Sequence, residues 1–255
     1  MSEIIFLGTA GARYVVAKQL RASAGTLIKI EDSYLLLDPG PGTLVYLAKR
    51  KIPLQKINTI LVSHQHLDHS ADLNIMVDAI TEGGFKKRGT VFLTESSLKE
   101  HILLPYLQPF LYRLEILKPY TFFENPPFKF KTSCELKHTA ENYGFLFYLP
   151  EGKILGFLTD TAYFEELSEE FKDAQILVIN TVRYTPKEGV LHMSIPDIKK
   201  LLTKIKPETV ILTHFGMTML KANPFKVAKD LSKELNLNII AAYDGMKLNI
   251  EKEPK

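Results

Sequence analysis

Cysteine is almost missing from this chain: Cys134 is the single one in 255 residues. One thiol builds neither a disulfide framework nor a thiolate metal cluster, and such usage suits a reducing, cytoplasmic setting. Cys134 itself reads as a small apolar filler. Long apolar runs are missing too. No stretch approaches the roughly 18 residues of a membrane span, so a soluble protein without membrane attachment is expected. The opening MSEIIFLGTAGAR has no basic n-region and only a short apolar run, which does not read as a secretory leader. Charge of one sign is scarce. The 32 basic and 29 acidic residues leave a net +3, too little by itself to argue for nucleic acid. Linkers, low-complexity tracts and internal repeats are also lacking, and one domain over 1–255 is expected. With 45% hydrophobic residues, a chain of this length buries a full core without staples.

What is present is a dozen short β-rich runs bounded by Gly, Pro, Asn or Asp, from EIIFLG (3–8) to MKLNI (246–250). Helical patterns lie between them. SIPDIKKLLTKIK (194–206) carries Ser194 as its cap and Ile195, Ile198, Leu201, Leu202 and Ile205 on one face. NPFKVAKDLSKEL (223–235) opens on Asn-Pro, with Phe225, Ala228, Leu231 and Leu235 as its stripe. The alternation of strands and helices gives an α/β protein. The segment 82–127, with TEGGFKKRG and PFLYRLEILKPY, is the loosest, and reads as an insertion or a flap over a site. Its basic FKKRG (85–89) reads as a solvated loop.

Histidines are distributed unevenly. Three of the seven fall in SHQHLDHSAD (63–72), directly after the apolar TILV. Alternate residues of an extended segment point the same way, so His64 and His66 can face one metal. Asp68 and His69 follow, where the chain turns into a helix, and can reach a second position. Imidazole and carboxylate without thiolate suit zinc, with manganese or iron as alternatives. A catalytic metal needs about three protein ligands and an open place for water. His138, Asp160 and His214 are available for this, because each follows a strand, and ligands gather at the carboxyl ends of strands in α/β sheets. His101 stands apart from such ends.

HQHLDH resembles the HxHxDH motif of the metallo-β-lactamase superfamily, and the other landmarks follow in that family's order: Asp38 in LLLDPGPGT, His138 in ELKH, Asp160 in LTDTAY, His214 in ILTHFG. The resemblance runs from about residue 4 to 250. It implies a four-layer αββα sandwich with two divalent metal ions in the cleft. Carried over, His64, His66 and His138 hold one ion, Asp68, His69 and His214 the other, and Asp160 bridges them. Asp38 either steadies a ligand from behind or caps its own loop.

Within the superfamily, Asp160 stands where classical β-lactamases have cysteine, and His66 where diiron oxidoreductases have glutamate. A redox-inert hydrolase is the expectation. FLGTAGAR, RASAGTLI, DPGPGT, LHMS, THFG and AYDGMKL resemble the ribonuclease Z and phosphonate-pathway phosphodiesterase branch. That branch has an extra histidine acting on the phosphate or leaving group, and His192 in GVLHMSIPD matches it; an ordinary loop histidine is the competing reading. Only 21 residues separate His138 from Asp160, room for two strands and a turn but not for a tRNA-gripping arm. The expected activity is therefore hydrolysis of a small or cyclic phosphodiester, with Asp68 orienting the nucleophile and His192 serving the leaving oxygen. RNA is a less favoured substrate. A ribonuclease Z-like endonuclease and a thioester or lactone hydrolase are the alternatives, and a non-catalytic carrier or sensor is the remaining one. A homodimer is expected by analogy with the branch. Arg13 and Arg21 either line the cleft or are plain surface charge.

Overall fold

The computed structural model describes residues 2–23 and 25–250; Ala24 of the RASAGTLI motif and both extremes of the 1–255 span lie outside the described residues. The first half of the chain runs β1 (Ser2–Phe6), α1 (Arg13–Ala17), β2 (Thr26–Ile30), β3 (Ser33–Leu37), α2 (Thr43–Lys49), β4 (Ile57–Leu61), α3 (Leu67–Ser70), α4 (Leu73–Ile80), β5 (Thr90–Leu93), α5 (Glu95–Lys99) and β6 (Arg113–Ile116). The second half runs β7 (Phe122–Asn125), β8 (Phe128–Glu135), β9 (Tyr143–Tyr148), β10 (Ile154–Leu158), α6 (Leu167–Phe171), β11 (Ile176–Asn180), α7 (Ile195–Lys204), β12 (Thr209–Thr213), α8 (Met217–Ala222), α9 (Pro224–Leu235), β13 (Asn238–Ala241) and β14 (Lys247–Asn249).

The strands form two mixed sheets, ordered β14-β1-β2-β3-β4-β5-β6 and β13-β12-β11-β10-β9-β8-β7. Their residues explain the layering. Successive strand side chains point to opposite faces, and a strand covered on both faces needs apolar residues at every position. In β1, Ile4 and Phe6 enter the core between the sheets, while Ile5 packs under the helices of the first sheet. In β11, Ile176 and Val178 face the other sheet, while Leu177 and Ile179 meet the helices of the second. The α2 and α4 helices cover one outer face through Leu47, Leu73, Met76, Val77 and Ile80. The other is covered by α6, α7, α8 and α9. The product is the αββα sandwich, a core of Phe128, Phe130, Phe145 and Phe147 at its centre.

The helix expectations hold with two adjustments. Ser194 caps α7 in a reciprocal arrangement with Asp197, whose Oδ2 accepts the Ser194 N–H at 3.0 Å. Ile205 is buried but falls just beyond the helix end. In α9 the buried residues are Pro224, Val227, Ala228 and Leu231, and Phe225 faces outward.

The reading of 82–127 as an insertion or flap is corrected. This segment supplies β6, the outer strand of the first sheet, and β7, that of the second. Leu103, Leu107 and Leu111 pack into the core under the first sheet. None of its described residues lines the cavities around the histidine cluster. TVFLT (90–94) reads as a strand in the sequence and forms β5, whereas the two outer strands do not stand out because edge strands are half solvated: RLEI and FFEN carry charges and polar residues that blur the alternation.

Candidate metal centre

Strand ends deliver the cluster. Just after β3 comes Asp38, and after β4 come Ser63 and His64; His138 follows β8, Asp160 follows β10, and His214 follows β12. Asp38 (φ 52°) and His214 (φ 59°) both adopt left-handed backbone. Non-glycine residues seldom do so, and such conformations concentrate at functional sites. The PGPG loop after Asp38 has a separate requirement. A Cβ on Gly40 would overlap the carbonyl oxygens of Asp68 and Ser23, so only glycine allows this loop to support the turn that carries Asp68.

The hydrogen bonds dictate where the imidazole protons are. Ser63 Oγ donates to Asp38 Oδ2 at 2.8 Å, so its one proton is committed. His64 Nδ1, 2.9 Å from that Oγ, must then be the donor, leaving a lone pair on Nε2. His138 Nδ1 donates to the Leu191 carbonyl at 3.2 Å, again leaving Nε2 bare. Both bare nitrogens point at His66 Nδ1, at 3.0 Å and 3.1 Å. A single proton on His66 satisfies one of them at most, whereas a cation satisfies all three nitrogens together. Burial, the leading influence on each, holds His64 well below the usual histidine range and lowers His66 and His138 as well, so all three favour the neutral, ligand-competent form.

Asp68, His69 and His214 form a second group of converging donor atoms. His69 Nδ1 donates to Asp38 Oδ2 at 2.8 Å, which aims Nε2 toward Asp160 Oδ2 at 3.3 Å. His214 Nε2 lies 3.6 Å from Asp68 Oδ2 and 3.4 Å from Asp160 Oδ1. Asp160 thus stands between the groups and also converges with His64 and His69. Burial alone would push the His69 pKa down, but the carboxylates of Asp38, Asp68 and Asp160 outweigh it and hold it well above the usual value. Burial would likewise raise Asp160, yet His214 and His69 hold it well below the carboxylate range. Three acids around one imidazole form a field that favours positive charge.

This donor set fits divalent metal ions. Among the described residues, buried polar side-chain atoms without a partner include His69 Nε2, His214 Nε2 and His192 Nδ1. Buried polar atoms are almost always paired, so orphaned nitrogens facing carboxylates call for a cation. His192 Nδ1 is 3.6 Å from Asp160 Oδ2, and burial lowers its pKa. His192 is not in any of the three converging groups.

All eight predicted site residues therefore meet in one place. Asp38 lies directly behind His69 and the Ser63–His64 turn. Arg13 lines the cleft, whereas Arg21 turns away, donating to Thr9 Oγ1 at 3.0 Å and packing over Phe215 and Phe225. His101 is exposed. Two further residues, both in NTVRYTP (180–186), a segment that resembles the phosphodiesterase branch, are not among the sequence candidates. Asn180 donates Nδ2 to Asp160 Oδ1 at 2.9 Å, and Arg183 lines the cleft beside His192. The strand-end rule, applied to QILVIN, would have found Asn180; Arg183 carries no local signal.

Residues 33–215 match the β-lactamase superfamily domain. An uncharacterized protein of Methanocaldococcus jannaschii is 33% identical over 97% of this chain and 95% of its own. Ribonuclease Z of Borrelia recurrentis is 27% identical over 98% of this chain and 97% of its own. That alignment spans 313 positions against 255 residues here, so dozens of them have no counterpart in this chain. Among solved structures, the metallo-β-lactamase fold protein YhfI of Bacillus subtilis superimposes with a TM-score of 0.80 at 18% identity, covering 97% of this chain and 98% of that one. A diphosphatase of the PhnP family gives 0.73 at 18% identity, covering 97% of each. At such identities these two structures speak to the fold alone.

Proposed function

The chain belongs to the metallo-β-lactamase superfamily, a metal-dependent hydrolase by fold, and we propose that it hydrolyses a small or cyclic phosphodiester with two divalent ions. The observation that carries this reading is the pair of donor groups joined through Asp160, with the orphaned Nδ1 of His192 beside them. In it, His64, His66 and His138 hold one ion, Asp68, His69 and His214 the other, and Asp160 serves both. The all-nitrogen-and-oxygen donor set favours zinc, ahead of manganese or iron. Bound there, the two ions supply Lewis acidity and make water nucleophilic at working pH.

The protein's own groups perform the rest. Asp68 orients the attacking water and aligns it with phosphorus. Arg13, which makes no ion pair among the described residues, meets the phosphate's charge from the cleft wall. His192 passes a proton to the departing oxygen. Burial, with the neighbouring His214 and His69, lowers the pKa of this imidazole, whereas Asp160, Asp68 and an arriving phosphate anion favour its protonated form. Leaving oxygens of poor stability depend on that proton most.

The test is turnover of bis-p-nitrophenyl phosphate with zinc or manganese added, beside thioester and lactone substrates. Diester turnover that chelation abolishes is expected; thioester or lactone turnover with none on diesters would overturn the reading. A ribonuclease Z-like activity is the second reading, favoured by the Borrelia relative that aligns end to end. Against it stands the β9–β10 hairpin, which fills the interval between His138 and Asp160 and closes through a Leu149–Lys153 turn.

A further inference from the structure

Two cavities meet at the cluster. One, of about 520 Å³, contains His138, Asp160, His192 and Arg183. The other, of about 650 Å³, shares Arg13, His66 and Asp68 with the first and then departs from it, lined by Val16, Ala17, Pro41, Leu67 and Ala71. Gln65 is its one further polar side chain. Leu67 separates two candidate ligands, His66 and Asp68, and metal binding places no demand on that position. It nevertheless presents a large apolar side chain that is 75% exposed. Exposed apolar surface joined to a polar reaction centre is the common build of a small-molecule site.

A phosphodiester has two arms diverging from phosphorus, and the two cavities share Arg13, His66 and Asp68 while their linings are otherwise separate, one place for each arm. The first holds a proton donor, His192, and so takes the arm that leaves. The second offers no such group. Resting on the phosphodiesterase reading, we infer that this second cavity receives the retained arm of the substrate, and that this arm is apolar, an aryl or alkyl group. The step balances: the P–O bond to the leaving arm breaks, a water oxygen bonds to phosphorus, and the proton from His192 goes to the leaving oxygen. The product is the phosphomonoester of the apolar arm.

The experiment uses p-nitrophenyl phosphodiesters whose retained arm is methyl, hexyl or phenyl, so that leaving group and scissile bond stay constant. An arm burying about 60–90 Å² of apolar surface more than methyl should raise kcat/KM over the methyl ester by about 10–50-fold. Leu67→Gln and Val16→Gln, from separate segments, should each cut that preference at least about threefold, with circular dichroism confirming that both variants fold. Whichever of phenyl and hexyl is favoured identifies the arm as ring or chain. Equal kcat/KM for all three arms in the parent would overturn the inference. Calorimetry with phenylphosphonate and methylphosphonate on the zinc-loaded protein decides it independently of turnover. Phenylphosphonate should bind about tenfold more tightly, and less so in Leu67→Gln. If no diester is hydrolysed the phosphodiesterase reading falls, whereas equal phosphonate affinities sink the apolar pocket.

Discussion

Half-buried, with no partner for its Nδ1 and that nitrogen 3.6 Å from Asp160 Oδ2, His192 is not needed to complete either group of three ligands. Its removal therefore isolates proton transfer. His192→Ala should retain both ions and lower kcat on an alkyl diester by about 10²–10⁴, the usual worth of a positioned acid. Nitrophenolate departs without a proton, so the same variant should lose far less on a nitrophenyl diester. Equal losses on both substrates would make His192 a phosphate-binding group, and no loss would return it to an ordinary loop histidine. Asp38 acts one bond further out. Its two oxygens take the His69 Nδ1–H, the Ser63 N–H and the Ser63 hydroxyl. Asp38→Ala leaves His69 unoriented and a buried N–H unpaired. Affinity for one ion should drop about 10–100-fold in competition with a chromophoric chelator. Thermal unfolding should show a loss of about 1–3 kcal/mol.

At the scale of elements, the loops after the strands carry the chemistry, and their glycines differ in what they support. Gly40 touches the carbonyl of Asp68, so Gly40→Ala pushes on the turn holding a candidate ligand. Gly152 lies in the β9–β10 turn with positive φ (78°) and open space around it, so alanine there meets only backbone strain. Both variants should lose about 1–3 kcal/mol in thermal melts. Only Gly40→Ala should lose metal as well. Equal metal content in the two, measured after gel filtration, would mean that the PGPG loop does not position Asp68.

For the whole molecule, the prediction is stoichiometric. Seven donor residues with Asp160 shared should hold two ions per chain, and saturated parent protein yielding one ion or fewer by elemental analysis would refute the dinuclear centre. Asp160→Ala should lose at least one ion together with activity, since it faces both groups. The overall form also bears on substrate size. With a tight hairpin where an arm would need to emerge and a net charge of +3, precursor tRNA should bind weakly and without preference for its 3′ end. Accurate 3′ cleavage at low enzyme concentration would promote the ribonuclease reading. The expected homodimer is checked by light scattering.

The sequence by itself determined the candidate ligand residues and the central strands. Those signals are local: histidines two and five apart after an apolar run, and apolar residues at every position of strands covered on both faces. It also determined the α7 cap, because Ser194 and Asp197 are three residues apart and need no distant partner. The tertiary structure alone decided what depends on long-range convergence. Asp38 lies 31 positions from His69, and nothing near it in the chain shows that it holds that imidazole. Arg21 and Arg13 look alike in sequence, yet one packs on Phe215 and Phe225 and the other faces the cleft. β6 and β7 became strands because the two sheets had edges to complete, a pairing worth more than their weak intrinsic pattern. The second cavity is of the same kind. Val16, Pro41 and Leu67 belong to three separate segments, and packing, which no local run of residues encodes, is what makes them one surface.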